Sequence, residues 1–207
     1  HRSLRRQRQM CIRDRFGPAL AKVPEDGTLA EYEDALDRHY YAASLKALGQ
    51  SKGAPVRFLS QLFAAEIDHK NIVNILEASA VGIDNERLVT LLIPGGRLVP
   101  KRAFSAIATG GKDAMLDMLR SANKFDYAAF EGVLEEAETT RSLDPVFTWM
   151  KAREHDMMKR MSYHQPVSAL PIIFYITMKV QEVSDLRLIV RGRLAGLSAA
   201  VLEAHLL

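Results

Sequence analysis

The sequence predicts an all-α protein assembled from repeated helical-bundle modules, and three observations predict it. Hydrophobic residues make up 48% of the 207, yet aromatics only 7%, with one tryptophan, Trp149. Ala and Leu carry that apolar content, and the period-two alternation of Val, Ile and Thr that marks strands is hard to find. Second, capping residues and first-turn prolines recur along the chain at the spacing of helix starts. Third, the last third of the chain repeats an earlier part. At an offset of 116 residues (171 − 55), Pro55 meets Pro171, Phe58 meets Phe174, Glu66 meets Glu182, and Ile67, Ile72 and Val73 meet Val183, Leu188 and Ile189. At an offset two shorter (196 − 82 = 114), Gly82-Ile83-Asp84 meets Gly196-Leu197-Ser198, Leu88 meets Leu202 and Leu92 meets Leu206. A duplicated helix-turn-helix unit marks a chain built from copies of one module, and such chains more often present surfaces to partners than hold catalytic sites.

Residues 1–15 hold six arginines and one aspartate, a basic arm of the kind that binds nucleic acid or phospholipid. Residues Arg5 to Arg15 are also, codon by codon, a legal translation of a transposon-end sequencing adapter, so 1–15 is read as adapter-derived and set apart from the fold. Without it the 28 basic and 25 acidic residues become 22 and 24, the net charge passes from +3 to −2, and no nucleic-acid partner is expected. The one cysteine, Cys11, goes too, leaving no disulfide framework. An amino end of this origin implies that an earlier part of the protein is missing.

Phe16 to Asp26, with Gly17, Pro18 and Pro24, reads as an irregular lead-in. Thr28 caps a helix from Leu29 to about Leu48, with Glu31 in the first turn where the helix dipole favours an acid. Tyr32, Leu36, Tyr40, Ala43 and Ala47 form its expected buried stripe. Pro55 opens a long helix to about Ala80, where a missing N–H costs nothing. Its apolar side reads Phe58, Leu62, Ala65, Ile72, Ile75, Leu76 and Ser79, and Gly82 supplies a left-handed cap. Asp84 caps a short helix, Asn85 to Ile93, and Pro94-Gly95-Gly96 ends it. A helix from Pro100 is expected to stop at Thr109-Gly110-Gly111, with a further short one over Asp113 to Ser121. That punctuated stretch places the joint between a module at 16–110 and one at 111–207. Asp126 to Thr140 is helical with an acidic outer face. Asp144-Pro145 opens a helix to Met161, and Ser162 to Gln165 is a loop. The second long helix starts at Pro171, passes Phe174, Met178, Val183, Leu186 and Val190, and ends near Gly192 or Gly196. Ser198 caps the last helix, Ala199 to Leu207. No apolar run spans a bilayer, since Lys179 and Gln181 interrupt the one that begins at Pro171, so a soluble protein is expected.

Four segments are more specific than this pattern. Phe174 to Leu197 joins an aromatic helix start, Lys179-Val180-Gln181-Glu182-Val183, Leu186-Arg187, and Arg191-Gly192-Arg193 before Gly196-Leu197. Earlier stand Glu66-Ile67-Asp68-His69-Lys70-Asn71, Ile93-Pro94-Gly95-Gly96 and Asp37-Arg38-His39-Tyr40-Tyr41. In this order they resemble the C subunit of the V-type/A-type rotary ATPase/ATP synthase of archaea and bacteria, the counterpart of the eukaryotic V-ATPase d subunit. The resemblance covers Phe16 to Leu207. It implies three related helical domains arranged as a funnel with pseudo-threefold symmetry, of which this chain holds the second and third. It also implies a non-catalytic rotor subunit on the cytoplasmic face of the membrane, seated on the proteolipid ring and receiving the foot of the central shaft. Torque then passes between ATP chemistry and H+ or Na+ movement without bond-breaking in this subunit.

Glu66 and Glu182, equivalent by the repeat, are expected as solvated or helix-tying carboxylates. Lys179, Arg187, Arg191 and Arg193 lie along the last long helix, either as a solvated face or as contacts to acidic loops of ring or shaft. His155-Asp156 would be half of a metal-phosphohydrolase motif, but His39, His69 and His164 stand in no second motif. Thr109-Gly110-Gly111-Lys112 lacks the first glycine and the preceding strand of a phosphate loop, so neither ATP nor any other cofactor is expected. A helical-repeat adaptor unrelated to ATPases is the alternative reading.

Overall fold

The computed structural model describes residues 14, 16–23, 27–203 and 205–206, and every regular element among them is helical. The arm set apart at 1–15 lies outside the described residues save Asp14, as do Pro24 to Asp26 within the lead-in. The helices are α1 (Leu29–Gly49), α2 (Ala54–Val81), α3 (Asn85–Leu91), a 3-10 turn (Lys101–Ala103), α4 (Phe104–Ser121), α5 (Tyr127–Thr140), α6 (Asp144–His164), α7 (Leu170–Leu194) and α8 (Ala199–Glu203).

Local chemistry sets most of these boundaries. Thr28 and Glu31 form a reciprocal capping box, the Thr28 N–H reaching Glu31 Oε2 at 2.9 Å. Asp84 and Asp126 each accept a backbone N–H in the first turn of α3 and α5. The repeat is visible in three dimensions. Both α2 and α7 start with proline in the first turn and are followed by a left-handed glycine, Gly82 at φ 77° and Gly196 at φ 80°. Each then meets a short helix whose leucine, Leu88 or Leu202, is buried.

The break expected at Thr109-Gly110-Gly111 is present: Gly111 takes a non-helical φ 53°, ψ −131°, so α4 is two helical stretches joined at a kink, the second running to Ser121. Three expectations are corrected. Residues 16–20 of the lead-in are helical. Ser162 to His164 belong to α6, and Asp144 is that helix's first residue, with Ser142 Oγ accepting its N–H at 3.1 Å. On α1 the buried residue is Tyr41, while Tyr40 is 47% exposed. The face turned to α2 is thus one position round from the stripe read in the sequence, where Tyr40 and Tyr41 are equally apolar.

The larger core joins Ile72, Ile75 and Leu76 of α2, Leu88 of α3, Ile107, Met115 and Leu119 of α4, Phe130 and Leu134 of α5, and Val146 and Met150 of α6. It draws on residues from both sides of 110/111. Phe125, Phe130 and Trp149 form an aromatic cluster with ring centroids 5.2 to 5.6 Å apart, and the Arg153 guanidinium lies 5.0 Å above Phe125. A smaller core of Tyr41, Ile67 and Ile93, backed by Leu45 and Phe63, fastens α1 to α2. The long helices are dressed unequally. Eleven residues of α2 are buried, whereas α7 buries only Leu170 and Gly192.

Candidate interaction surface

Two of the sequence segments singled out above form one device. Asp68 points from α2 into the loop after α3, where its carboxylate accepts the N–H groups of Arg97, Leu98 and Val99, each at 2.9 Å. One turn on, the Asn71 amide donates to Ile93 O and accepts the Ile93 N–H, both at 2.8 Å. Backbone groups of the loop after α3 are thus satisfied by two side chains three residues apart on one face of α2. Burial pushes the Asp68 carboxyl above its usual range, and the three N–H donors pull it back. Glycine is required opposite: a Cβ on Gly96 would collide with Asp68 Oδ1, and Gly95 has φ 128° and no room beside Leu45 and Ile67. In the second copy the clamp positions are Ser184 and Arg187. Ser184 bonds back to Val180 O of its own helix at 3.0 Å.

Glu66 sits beside this clamp on α2, partly buried and near Glu154 of α6. Its carboxyl is pushed up to about 7, chiefly by burial and then by Glu154, against Lys151 and Lys70. Glu154 Oε1 lies 2.7 Å from His69 Nδ1, joining α6 to α2, while His69 Nε2 is buried without a hydrogen-bond partner among the described residues. Lys70 pairs with Asp37 of α1. Residues 66–70 therefore reach both α1 and α6, and sequence reasoning missed the bond between His69 and Glu154, which are 85 residues apart.

Glu182, the repeat mate of Glu66, is exposed and lies 2.5 Å from Lys179 of its own helix. Arg187, Arg191 and Arg193 lie on the same helix, all three exposed. The structure brings these cations to one helix but gives none of the three arginines an ion-pair partner among the described residues. Between them runs a feature the sequence reading overlooked. Ile172, Ile176, Val183, Leu186 and Val190 line one side of α7 and are 45% to 62% exposed. The available signal was that apolar residues are spread round α7 rather than gathered in one stripe, so that packing on one side leaves others open. The repeat adds that Ile67, the mate of Val183, is fully buried in the small core with Tyr41 of α1. His155 and Asp156 lie on α6, and among the described residues no three metal-ligating side chains converge.

Comparison with known proteins bears on this surface. Residues 8–205 match the model of the ATP synthase (C/AC39) subunit family. The A-type ATP synthase C subunit of Halorubrum lacusprofundi is 30% identical over 193 residues, 93% of this chain and 54% of the relative. That of Haloferax volcanii is 31% identical over 195 residues, 92% and 54%, and that of Methanosarcina acetivorans 28% over 184 residues, 88% and 49%. No solved structure matches at a significant level. The chain spans about half the length of the curated relatives it matches. With the motif segments explained as a helix-to-loop clamp and an open helix, and with the match running over nearly the whole chain, this protein belongs to the ATP synthase (C/AC39) subunit family.

Proposed function

We propose that this chain is part of a non-catalytic central-stalk subunit of a V/A-type ATPase/ATP synthase. In that role it couples the rotating shaft to the membrane proteolipid ring for ATP-linked H+ or Na+ transport. Family membership carries the reading. The structure supports it in two ways. Its residues form a helical frame with a long apolar face left open, as a subunit that works by contact requires. No helix among the described residues is long and apolar enough to cross a membrane, which is consistent with a peripheral subunit; the cytoplasmic face is part of the proposal.

In this reading the two repeated units are the second and third of three modules in a funnel. Lys179, Arg187, Arg191 and Arg193 are its contacts to acidic loops of ring or shaft. Glu66 lies where α2 meets α6, repelled by Glu154 and attracted by Lys151 and Lys70, and Glu182 orders Lys179 on α7. The test is co-purification of the chain with proteolipid ring and shaft subunits from detergent-solubilised complex. Retention that weakens with salt and is lost on Arg191→Glu is the expected result. Failure to associate with either partner refutes the assignment.

A further inference from the structure

We propose that Glu66, Glu154 and His69 hold one exchangeable proton where α2 meets α6, and that this proton latches the two helices together. The proposal stands apart from the rotor reading and rests on the charges gathered at that seam. Glu66 and His69 are both on α2, three residues apart and so one turn along the same face. Glu154 comes from α6, its Oε1 2.7 Å from His69 Nδ1, and the side chains of His69 and Glu154 are only 9% and 13% exposed. Lys151, one turn earlier on α6, lies at the rim, 3.9 Å from Glu154 Oε2 and half exposed.

Fully ionised, the seam has two carboxylates, Glu66 and Glu154, and one cation, Lys151. The other charges nearby are already matched. Lys70 of α2 pairs with Asp37 of α1, and Asp68 points into the loop after α3, where three N–H groups hold it. Tyr41 of α1 stays neutral, because burial and then Glu66 push its hydroxyl up. The helices α3 and α4 join α2 further along, in the apolar core at Ile72, Ile75 and Leu76. One negative charge is thus left over in a partly dry site, where a proton neutralises it at less cost than leaving it bare.

Glu66 is the holder at rest. A second proton on the His69 ring would create an N–H at Nε2, which is buried with no acceptor among the described residues, and a stranded donor is costly. Glu154 is best kept as the carboxylate that accepts the Nδ1–H. Glu66 has the remaining acceptor oxygens, and its carboxyl is pushed up to about 7, by burial first and then by Glu154. Loss of the proton sets two carboxylates against each other across the seam. Since α6 packs on α2 and α5, and α7 packs on α6 and α8, the contact that weakens is one of those holding the second repeated unit to the first. In the open seam Glu66 returns to water and to its ordinary 4.5, so closure is strongest below that value and is lost as pH rises through about 7. Between pH 6 and pH 8 the closing equilibrium weakens roughly tenfold.

The test is native-state hydrogen exchange of the whole chain, read by mass spectrometry at pH 6 and pH 8 with labelling times scaled to equal intrinsic exchange. Amides of α6 from Lys151 to His164 are expected to exchange before those of α4, as a separate opening, and to do so roughly tenfold faster at pH 8 than at pH 6. Glu66→Gln, uncharged and of nearly the same shape, leaves them equally protected at both values. Lys151→Met removes the one cation at the rim and moves the pH midpoint of the opening upward, a shift that a packing role for residue 151 does not produce. Exchange of α6 in step with α4, equal protection at pH 6 and pH 8 in the parent, or a pH response that survives Glu66→Gln overturns the proposal.

Discussion

Removing the Asp68 carboxylate tests whether the motif segments of this chain serve to hold a loop. In Asp68→Ala the N–H groups of Leu98 and Val99 lose their acceptor, and Val99 is fully buried. Each stranded donor costs about 1–3 kcal/mol. Arg97 is more open to solvent than Val99, and its N–H regains water. Part of the loss is offset because a carboxylate whose burial is itself unfavourable has gone. The net destabilisation is about 3 kcal/mol, which at a urea dependence of about 2 kcal/mol/M lowers the unfolding midpoint by about 1.5 M. Gly96→Ala reaches the same contact from the other side. Its new Cβ would collide with Asp68 Oδ1, so the carboxylate must leave its place and the Val99 bond breaks. Alone it costs about 2 kcal/mol or more, but where Asp68 is already alanine the clash is absent and it costs well under about 1 kcal/mol. Urea titrations of the parent, both singles and the double variant give the coupling directly. If Gly96→Ala costs the same in both backgrounds, the carboxylate is not what requires glycine at 96 and the clamp account is wrong.

Glu66→Gln is expected to change the pH dependence of stability. The Glu66 carboxyl is raised from 4.5 to about 7 in the fold, so between those values the folded chain binds more proton than the unfolded one. Stability from this group is thus complete below pH 4.5 and falls as pH rises through 7. The interval sets an upper bound of about 3 kcal/mol, and partial solvent access reduces it to about 2. Glu66→Gln should therefore match the parent at pH 4 and exceed it by about 2 kcal/mol at pH 8, measured by urea unfolding at each pH; an equal difference at both values refutes the assignment. Phe130→Ala removes a fully buried ring from the Phe125–Trp149 cluster and should cost about 3–5 kcal/mol. Trp149 fluorescence of the folded variant should shift to longer wavelength, and an unchanged spectrum would show that the cluster does not shield the indole.

Helix starts were legible because they depend on residues close in sequence. The Thr28–Glu31 box, the prolines at 55, 145 and 171, and the glycines at 82 and 196 each act within one turn, so reading them in order recovers nearly every element. Gly111 belongs with them, because the backbone breaks there at φ 53°, ψ −131°, where the glycine pair stands. Tyr40 and Tyr41 misled, because which of two equally apolar neighbours is enclosed depends on how the helices pack. The motif residues at 66–71 and 93–96 were also legible as a set, whereas their joint purpose was not. Asp68 meets Val99 across 31 residues and His69 meets Glu154 across 85, distances that only packing closes.

The sequence by itself determined the all-α class, the repeat, the caps and the family likeness, because these are written in residue type and spacing. Tertiary structure alone decided how differently the two repeated helices are used. Glu66 and Glu182 occupy equivalent positions, yet one is partly buried near Glu154 with a raised carboxyl and the other lies in solvent beside Lys179. Ile67 and Val183 are equally apolar, yet one is enclosed and the other open. Burial belongs to the surroundings of a side chain, and those surroundings exist only once the helices have packed.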